Sequence, residues 1–331
     1  MTAPMMRVSD RADWFAPGSW LNFLVRRLGR LIVSLVVLVT ASFLMIHLIP
    51  GDAARASVGE TAPQDMVEAR RVELGLDLPI WEQYVRFWRG IIGGDFGNSI
   101  TLRTPVTGII GDRLPATLEL AVLALIVVML LAIPIGLAAA AFTRGGSSRG
   151  VELGYTSIAG FMAVIPELLL GVALVYVFSV KSSLLPVAGR SDISSYILPV
   201  LALSLGGAAA MSRIVRTEAL TVLEQDYIRT ARAKRMSARR VYFRHALPNL
   251  LTSSLTLGGL MLGSLVAGTV LVENIFAWPG LGMTIVDSIR NKDFPLAQAI
   301  VIVYGVIVLS VNLIVDIILV LLDPRSALKE G

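Results

Sequence analysis

The chain has 331 residues, 55% of them hydrophobic and only 16% charged, with a formal net charge of +5. That balance is too apolar for a soluble domain of this length and points to a membrane protein with several spans. Cysteine is absent, which excludes disulfides and thiolate metal sites, and the two histidines, His47 and His245, lie too far apart in sequence to suggest a His-rich metal centre.

A helix needs about 20 apolar residues to cross the hydrocarbon core. Six stretches qualify: 28–48, 116–141, 153–180, 196–211, 250–272 and 296–322. The expected architecture is therefore an all-α polytopic membrane protein with six transmembrane helices. An arm (1–27) precedes the first span, and Arg26, Arg27 and Arg30 flank its start. Ala54-Arg55-Ala56 resembles a signal-peptide cleavage site, but the apolar run is longer than a usual signal core and further spans follow, so the first helix is read as retained.

The loop 49–115 has structure of its own. Ala62-Pro63 opens a helix, and Leu78-Pro79 precedes an aromatic face made by Ile80, Trp81, Tyr84, Phe87 and Trp88 at helical spacing. Those aromatics fit an amphipathic helix at the membrane interface, or a surface that receives an external partner. Among the spans, the fourth is short and rich in Gly and Ala (205–210), so it is expected to pack inside the bundle. Three carboxylates stand within spans. Glu119 lies near one end of the second, and Asp316 about two turns from the end of the sixth. Glu167, after Pro166, lies near the middle of the third. Charge at that depth costs at least about 2.5–3.5 kcal/mol on insertion scales, so Glu167 is expected to face the bundle interior or an aqueous path. It is a candidate translocation-path acid that attracts a cationic or amino-terminal group; the competing reading is a packing acid bonded to backbone freed by Pro166.

The most basic segment separates the fourth and fifth spans. Between Arg213 and Arg244 there are nine Lys/Arg against three carboxylates, Glu218, Glu224 and Asp226. With six spans both termini share a side with this segment. That side carries eighteen Lys/Arg, against four in the two short loops opposite; the long opposite loop, 50–115, holds seven, but long loops obey the rule poorly, so the basic side is expected to be cytoplasmic and the helical loop 49–115 extracytoplasmic. The tail 323–331 is then cytoplasmic too. Leu220, Leu223, Tyr227 and Ala231 fall on one helical face, with Ile228 beside it, so a short amphipathic helix is expected to about Ala233. Ser237 can N-cap a second helix from Ala238, and Pro248 marks entry to the fifth span. The result is an elbow with its corner at Lys234–Met236. It fits a docking element for a soluble motor, or a basic loop snorkelling to anionic lipid heads.

The residues of this elbow carry a resemblance. The EAA loop of membrane subunits in bacterial ABC importers reads Glu-Ala-Ala, three residues, Gly, nine residues, then Ile-x-Leu-Pro. Here Arg229-Thr230-Ala231 takes the first place, Arg235 the Gly place, and His245-Ala246-Leu247-Pro248 closes it at the same spacing. The run from Asp226 to Lys234, with Pro248-Asn249 after it, resembles the dipeptide/oligopeptide/nickel branch. So do Ile49-Pro50-Gly51-Asp52, Leu74-Gly75-Leu76-Asp77, Gly94-Asp95-Phe96-Gly97, Leu114-Pro115-Ala116-Thr117 and Glu273-Asn274-Ile275-Phe276-Ala277-Trp278-Pro279-Gly280.

The resemblance implies a type I ABC importer permease fold with cytoplasmic coupling helices. Asp226, Tyr227, Arg229, Thr230, Ala231, Lys234, Arg235, Leu247 and Pro248 would be the ATPase-coupling residues. Implied partners are a second homologous permease subunit, two ATP-binding subunits and an extracytoplasmic substrate-binding protein, in the bacterial inner membrane. The chain has no GxxxxGK[ST] phosphate loop and no nucleophile–base constellation, so it is read as no enzyme and as carrying no cofactor. ATP and Mg would be bound by the partners. Short peptides are the leading substrate, with nickel chelates or other small solutes as alternatives. A proton-coupled secondary transporter is the other class to exclude, and Glu167 alone is thin support for it. Nothing calls for nucleic acid; membrane lipid accounts for the basic surface more economically.

Overall fold

A computed structural model describes residues 17–48, 53–59, 61–144 and 148–322. The arm before Pro17, the Ile49-Pro50-Gly51-Asp52 motif and the tail 323–331 lie outside the described residues. Among the described residues the chain is helical, with one isolated β-bridge between Asn98 and Pro105.

Helix α1 (Pro17–Leu48) is followed by three shorter helices, α2 (Ala53–Val58), α3 (Gln64–Glu73) and α4 (Ile80–Gly93). Pro63 and Pro79 stand immediately before α3 and α4, where a missing N–H costs nothing. The aromatic face of α4 has a use that neither sequence reading anticipated. Tyr84 and Phe87 pack on Phe43 of α1, with ring centroids 5.2 and 5.7 Å apart, and the Tyr84 hydroxyl lies 2.8 Å from Thr40 Oγ1. Ile80 and Trp81 remain exposed.

The core of the bundle is the pair α5 (Val106–Thr143) and α8 (Ser194–Leu223). At 1.5 Å per residue they are about 57 and 45 Å long, more than the roughly 30 Å hydrocarbon thickness. Both therefore run past the apolar windows read from sequence. Helix α5 begins ten residues before 116, and α8 continues through the polar stretch 213–223. Their contact is close: a Cβ on Gly136 would stand 2.5 Å from the Ser212 carbonyl oxygen. Small residues that let backbones approach are how helices associate without a hydrophobic drive between them. The Gly/Ala run of α8 is inside the bundle, as its composition suggests.

The third span is broken. Helices α6 (Arg149–Val164) and α7 (Glu167–Leu174) meet at a 95° bend, and α7 continues as π-helical turns Val175–Lys181. Pro166 supplies the cause: it has no N–H to donate and pushes Ile165 into the extended conformation observed, with ψ at 121°. Helices α9 (Asp226–Ala233) and α10 (Ala238–Arg240) form the basic elbow, and α11 (Leu247–Ile275), α12 (Leu281–Arg290) and α13 (Phe294–Leu322) complete the chain. Among the described residues five helices are long and apolar enough to cross a membrane, six with the bent pair counted as one.

Buried carboxylates fasten the end of the bundle away from the elbow. Glu273, at the end of α11, is fully buried; it accepts hydrogen bonds from Thr117 Oγ1 at 2.7 Å and from the Met283 N–H, at the start of α12, at 3.1 Å. A side chain on Gly280 would overlap that carboxylate. Asp293, just before α13, accepts from Ser99 Oγ and from the N–H groups of Ile100 and Thr101, at 3.1 Å each. It thereby ties the loop before α5 to the start of α13. Asp316, inside α13, pairs with Arg27 of α1 at 2.7 Å, which answers how a charge is kept in that span.

Because Gly136 lies against backbone, Gly136→Val should separate α5 from α8. Overpacking of this kind costs about 1–3 kcal/mol. The thermal unfolding midpoint in detergent should fall, whereas Gly154→Val, with nothing within 4 Å of its added Cβ, should leave it unchanged.

Candidate functional site

The elbow is built on an apolar cluster. Ile228 and Ala231 of α9 are buried together with Val241, Ala246 and Leu250, against Leu137 and Ala140 of α5 and Ala219 and Leu223 of α8. The inward residue differs from the sequence expectation. A continuous helix from Leu220 would turn Tyr227 inward, but the chain breaks at Glu224–Gln225 and α9 starts afresh. Ile228 is therefore buried, and Tyr227 is exposed. The Tyr227 hydroxyl accepts from Asn249 Nδ2 at 2.8 Å, bridging α9 to the start of α11.

Of the residues singled out for coupling, Asp226, Arg229, Thr230, Lys234 and Arg235 are exposed, Ala231 is buried, and Leu247 packs against the cluster next to an exposed Pro248. Thr230 Oγ1 donates to the Asp226 carbonyl at 2.9 Å, and Arg229 lies 3.5 Å from the Asp226 carboxylate. That exposed pair contributes little to stability. It leaves charged groups of α9 available to a partner.

The corner is a Schellman turn. The Arg235 N–H donates to the Arg232 carbonyl at 2.8 Å, and the Met236 N–H donates to the Ala231 carbonyl at 3.3 Å. Arg235 takes the left-handed conformation, φ 55°, at the position where the resembling pattern has Gly. The shape is thus kept and the strain accepted, at about 1–2 kcal/mol for a non-glycine residue. Met236 then packs against the cluster, which helps hold the turn. Ser237 stands at the N-cap position of α10 with no capping hydrogen bond from its side chain. Pro248 stands in the first turn of α11, at the expected entry to the fifth span, but the chain before it is not broken. π-helical turns at Val241–Ala246 carry α10 into α11, and their wider spacing accommodates a proline ring that would clash in a regular helix.

Two arginines that sequence reasoning passed over lock this end of the bundle. Arg144, just after α5, donates to the Leu223 carbonyl at 2.9 Å, at the C-terminus of α8, where a cation is favoured. Arg216 of α8 donates to Thr143 Oγ1 at 3.0 Å and pairs with Glu152 of α6 at 2.6 Å. Their signal was hidden in the general count of basic residues.

Glu167 lies away from the elbow, at the first residue of α7. Its carboxylate faces Gly268 of α11 and Leu203 of α8; a Cβ on Gly268 would lie 2.6 Å from Oε2. Among the described residues it has no hydrogen-bond or ion-pair partner. The backbone freed by Pro166 does not take it up. At the other end, Glu119 pairs with Arg190 at 2.6 Å, and Tyr196 accepts from Arg190 Nε at 3.0 Å. Glu273, which sequence reasoning did not count among the span carboxylates, is wholly satisfied by protein donors. Its signal was the Gly-rich turn that follows it. No group of three or more metal-ligating side chains occurs among the described residues.

Comparison with known proteins agrees with this geometry. The family described as "Binding-protein-dependent transport system inner membrane component" matches residues 132–327, and "Binding-prot-dependent transport system membrane comp, N-term" matches 20–121. The glutathione transport system permease protein GsiC of Salmonella paratyphi A is 37% identical over 310 residues, covering 93% of this chain and all of that protein. GsiC of Pectobacterium atrosepticum is 36% identical over the same shares. A chain of the inward-facing MetNI methionine ABC transporter superposes with a TM-score of 0.56 at 17% identity, covering 64% of this chain and 94% of that one, so the two share a fold.

Relief of the corner strain is measurable. Arg235→Gly should slow hydrogen exchange across residues 226–236 and raise stability by up to about 1 kcal/mol, after the chain-entropy cost of glycine is subtracted. Arg235→Val, β-branched at positive φ, should do the reverse.

Proposed function

The chain belongs to the family of binding-protein-dependent transport system inner membrane components, and within it we propose that this subunit translocates short peptides. It is the membrane subunit of an ATP-driven importer, it lies in the inner membrane, and ATP hydrolysis belongs to separate subunits. The substrate reading rests on relatives named for glutathione transport, matched along their whole length. It also rests on Glu167, an unpaired carboxylate at a break in a span, suited to the amino group of a peptide. A secondary transporter has no support left once the family is known.

In this reading the elbow end faces the cytoplasm, both termini lie there, and the complex holds a second permease subunit and two ATPases carrying ATP and Mg. Tyr227, Arg229, Thr230, Lys234 and Arg235 meet the ATPase, while Asp226 shapes the first turn of α9. Closure of the ATPases around ATP moves α9. The apolar cluster under α9 passes that displacement directly to α5, α8 and α11, because close-packed side chains transmit rather than absorb it. The spans then rock towards the outward-open state, which receives the peptide from its binding protein. The observation that carries this is the burial of Ile228 and Ala231 among residues of three spans.

Uptake of labelled di- and tripeptides into cells expressing the complete transporter should continue when the proton gradient is collapsed and stop when ATP is depleted. The opposite pattern would refute the mechanism. Glu167→Gln should lower uptake of peptides with a free amino terminus. A wild-type rate would remove any role for its charge.

A further inference from the structure

Beyond the corner at Arg235 the elbow changes character. Arg239, Arg240 and Arg244 are exposed, and Phe243 between them is 62% exposed. The residues that alternate with them, Val241 and Ala246, are buried in the cluster. The segment is thus anchored through Val241 and Ala246 and leaves three arginines and an aromatic ring exposed. None of the three forms an ion pair with a described residue. The sequence offers no neutralising group nearby, since no Asp or Glu occurs from Tyr227 to Val272. Unscreened like charges at this spacing repel, so the patch calls for an external anion.

Its position identifies that anion. The helical path from Ala238 runs without interruption into α11, whose apolar span follows. At no more than 1.5 Å per residue, Arg239 to Arg244 sit within about 14 Å of Pro248 along that path. This is where phospholipid phosphates lie against a span that enters the bilayer. A guanidinium fork matches a phosphate with two hydrogen bonds, and an exposed phenyl ring beside it suits the acyl boundary better than water.

We propose that Arg239, Arg240, Phe243 and Arg244 form a docking site for anionic phospholipid headgroups. The corner at Arg235 divides the elbow into two faces: α9 before it for the ATPase, and the 239–244 patch after it for the membrane. Lipid would then steady one side of the rigid elbow at the membrane surface while the ATPase engages the other. The division of labour rests on the importer reading, but the lipid site itself does not, because lipid binding is measured independently of transport.

The test is native mass spectrometry of the purified complete complex, titrated with phosphatidylglycerol or phosphatidylcholine. The wild type should retain phosphatidylglycerol preferentially. Attraction of a surface arginine to anionic lipid corresponds to about 5-fold in affinity, so Arg239→Gln, Arg240→Gln and Arg244→Gln together should weaken retention about 100-fold. The ATPases should stay bound. Replacement of the same three by Lys keeps the charge and should retain most of the preference. Equal retention of both lipids by the wild type would overturn the proposal. So would a triple Gln variant that keeps its phosphatidylglycerol but sheds the ATPases, since that would assign the patch to the motor.

Discussion

The packing of α9 onto the ends of α5, α8 and α11 is the constraint on which the rest of the elbow depends. An eight-residue helix has no stability of its own in water. It exists here because Ile228 and Ala231 are buried among Leu137, Ala140, Leu223, Val241, Ala246 and Leu250. Everything that bends the chain on either side serves that contact. The break at Glu224–Gln225 resets the helical register so that Ile228 faces inward. The left-handed Arg235 returns the chain towards the bilayer, and the π-helical turns before Pro248 deliver it into α11 in a register that keeps Val241 and Ala246 in the same cluster. Arg144 and Arg216 add polar ties from the α5–α6 junction to α8.

At the opposite end the same problem is solved by carboxylates rather than by an apolar cluster. Glu273 and Asp293 accept hydrogen bonds from backbone N–H groups at the starts of α12 and of the loop before α5. Buried charge is tolerable there because several donors converge on each carboxylate. Glu167 stands between the two ends as the contrasting case. It sits beside Gly268 at a proline break, without a donor among the described residues. A carboxylate left unsatisfied inside a span carries an energetic cost that folding alone does not explain. In the proposed function it is the acid that meets the peptide.

Much of this was legible in the sequence, for identifiable reasons. Long apolar windows mark membrane helices because the bilayer sets their length, and the corner near Lys234–Met236 was readable from polar composition and turn spacing. What escaped was governed by tertiary contact. The polar stretch 213–223 reads as loop, yet it continues α8, because a helix leaving the bilayer can be held by packing on α5. Ile228 reads only as lying beside the inward face, with Tyr227 on it, and the order is reversed because one break in the helix moves every later side chain around the axis. Pro166 was visible, but the 95° bend was not, because a proline in a span permits a kink without setting its angle. Glu273 hid at the edge of an apolar run, where nothing local reveals that Thr117, more than 150 residues earlier, supplies its donor.

The central claim is that the elbow and the helix ends beneath it move as one body. The absence of cysteine makes this directly measurable, because introduced pairs can be spin-labelled without background from this chain. Thr217 on α8 and Ser237 at the elbow are both exposed. Pulsed dipolar distances between labels at these two sites should be measured in the assembled transporter, without nucleotide and trapped with ATP. One unshifted distribution is expected in both states, while distances from Ser237 to the corresponding residue of the proposed second permease subunit change. A shift or broadening of the Thr217–Ser237 distance on ATP binding would mean that the elbow hinges on its own, and would contradict direct transmission through the apolar cluster.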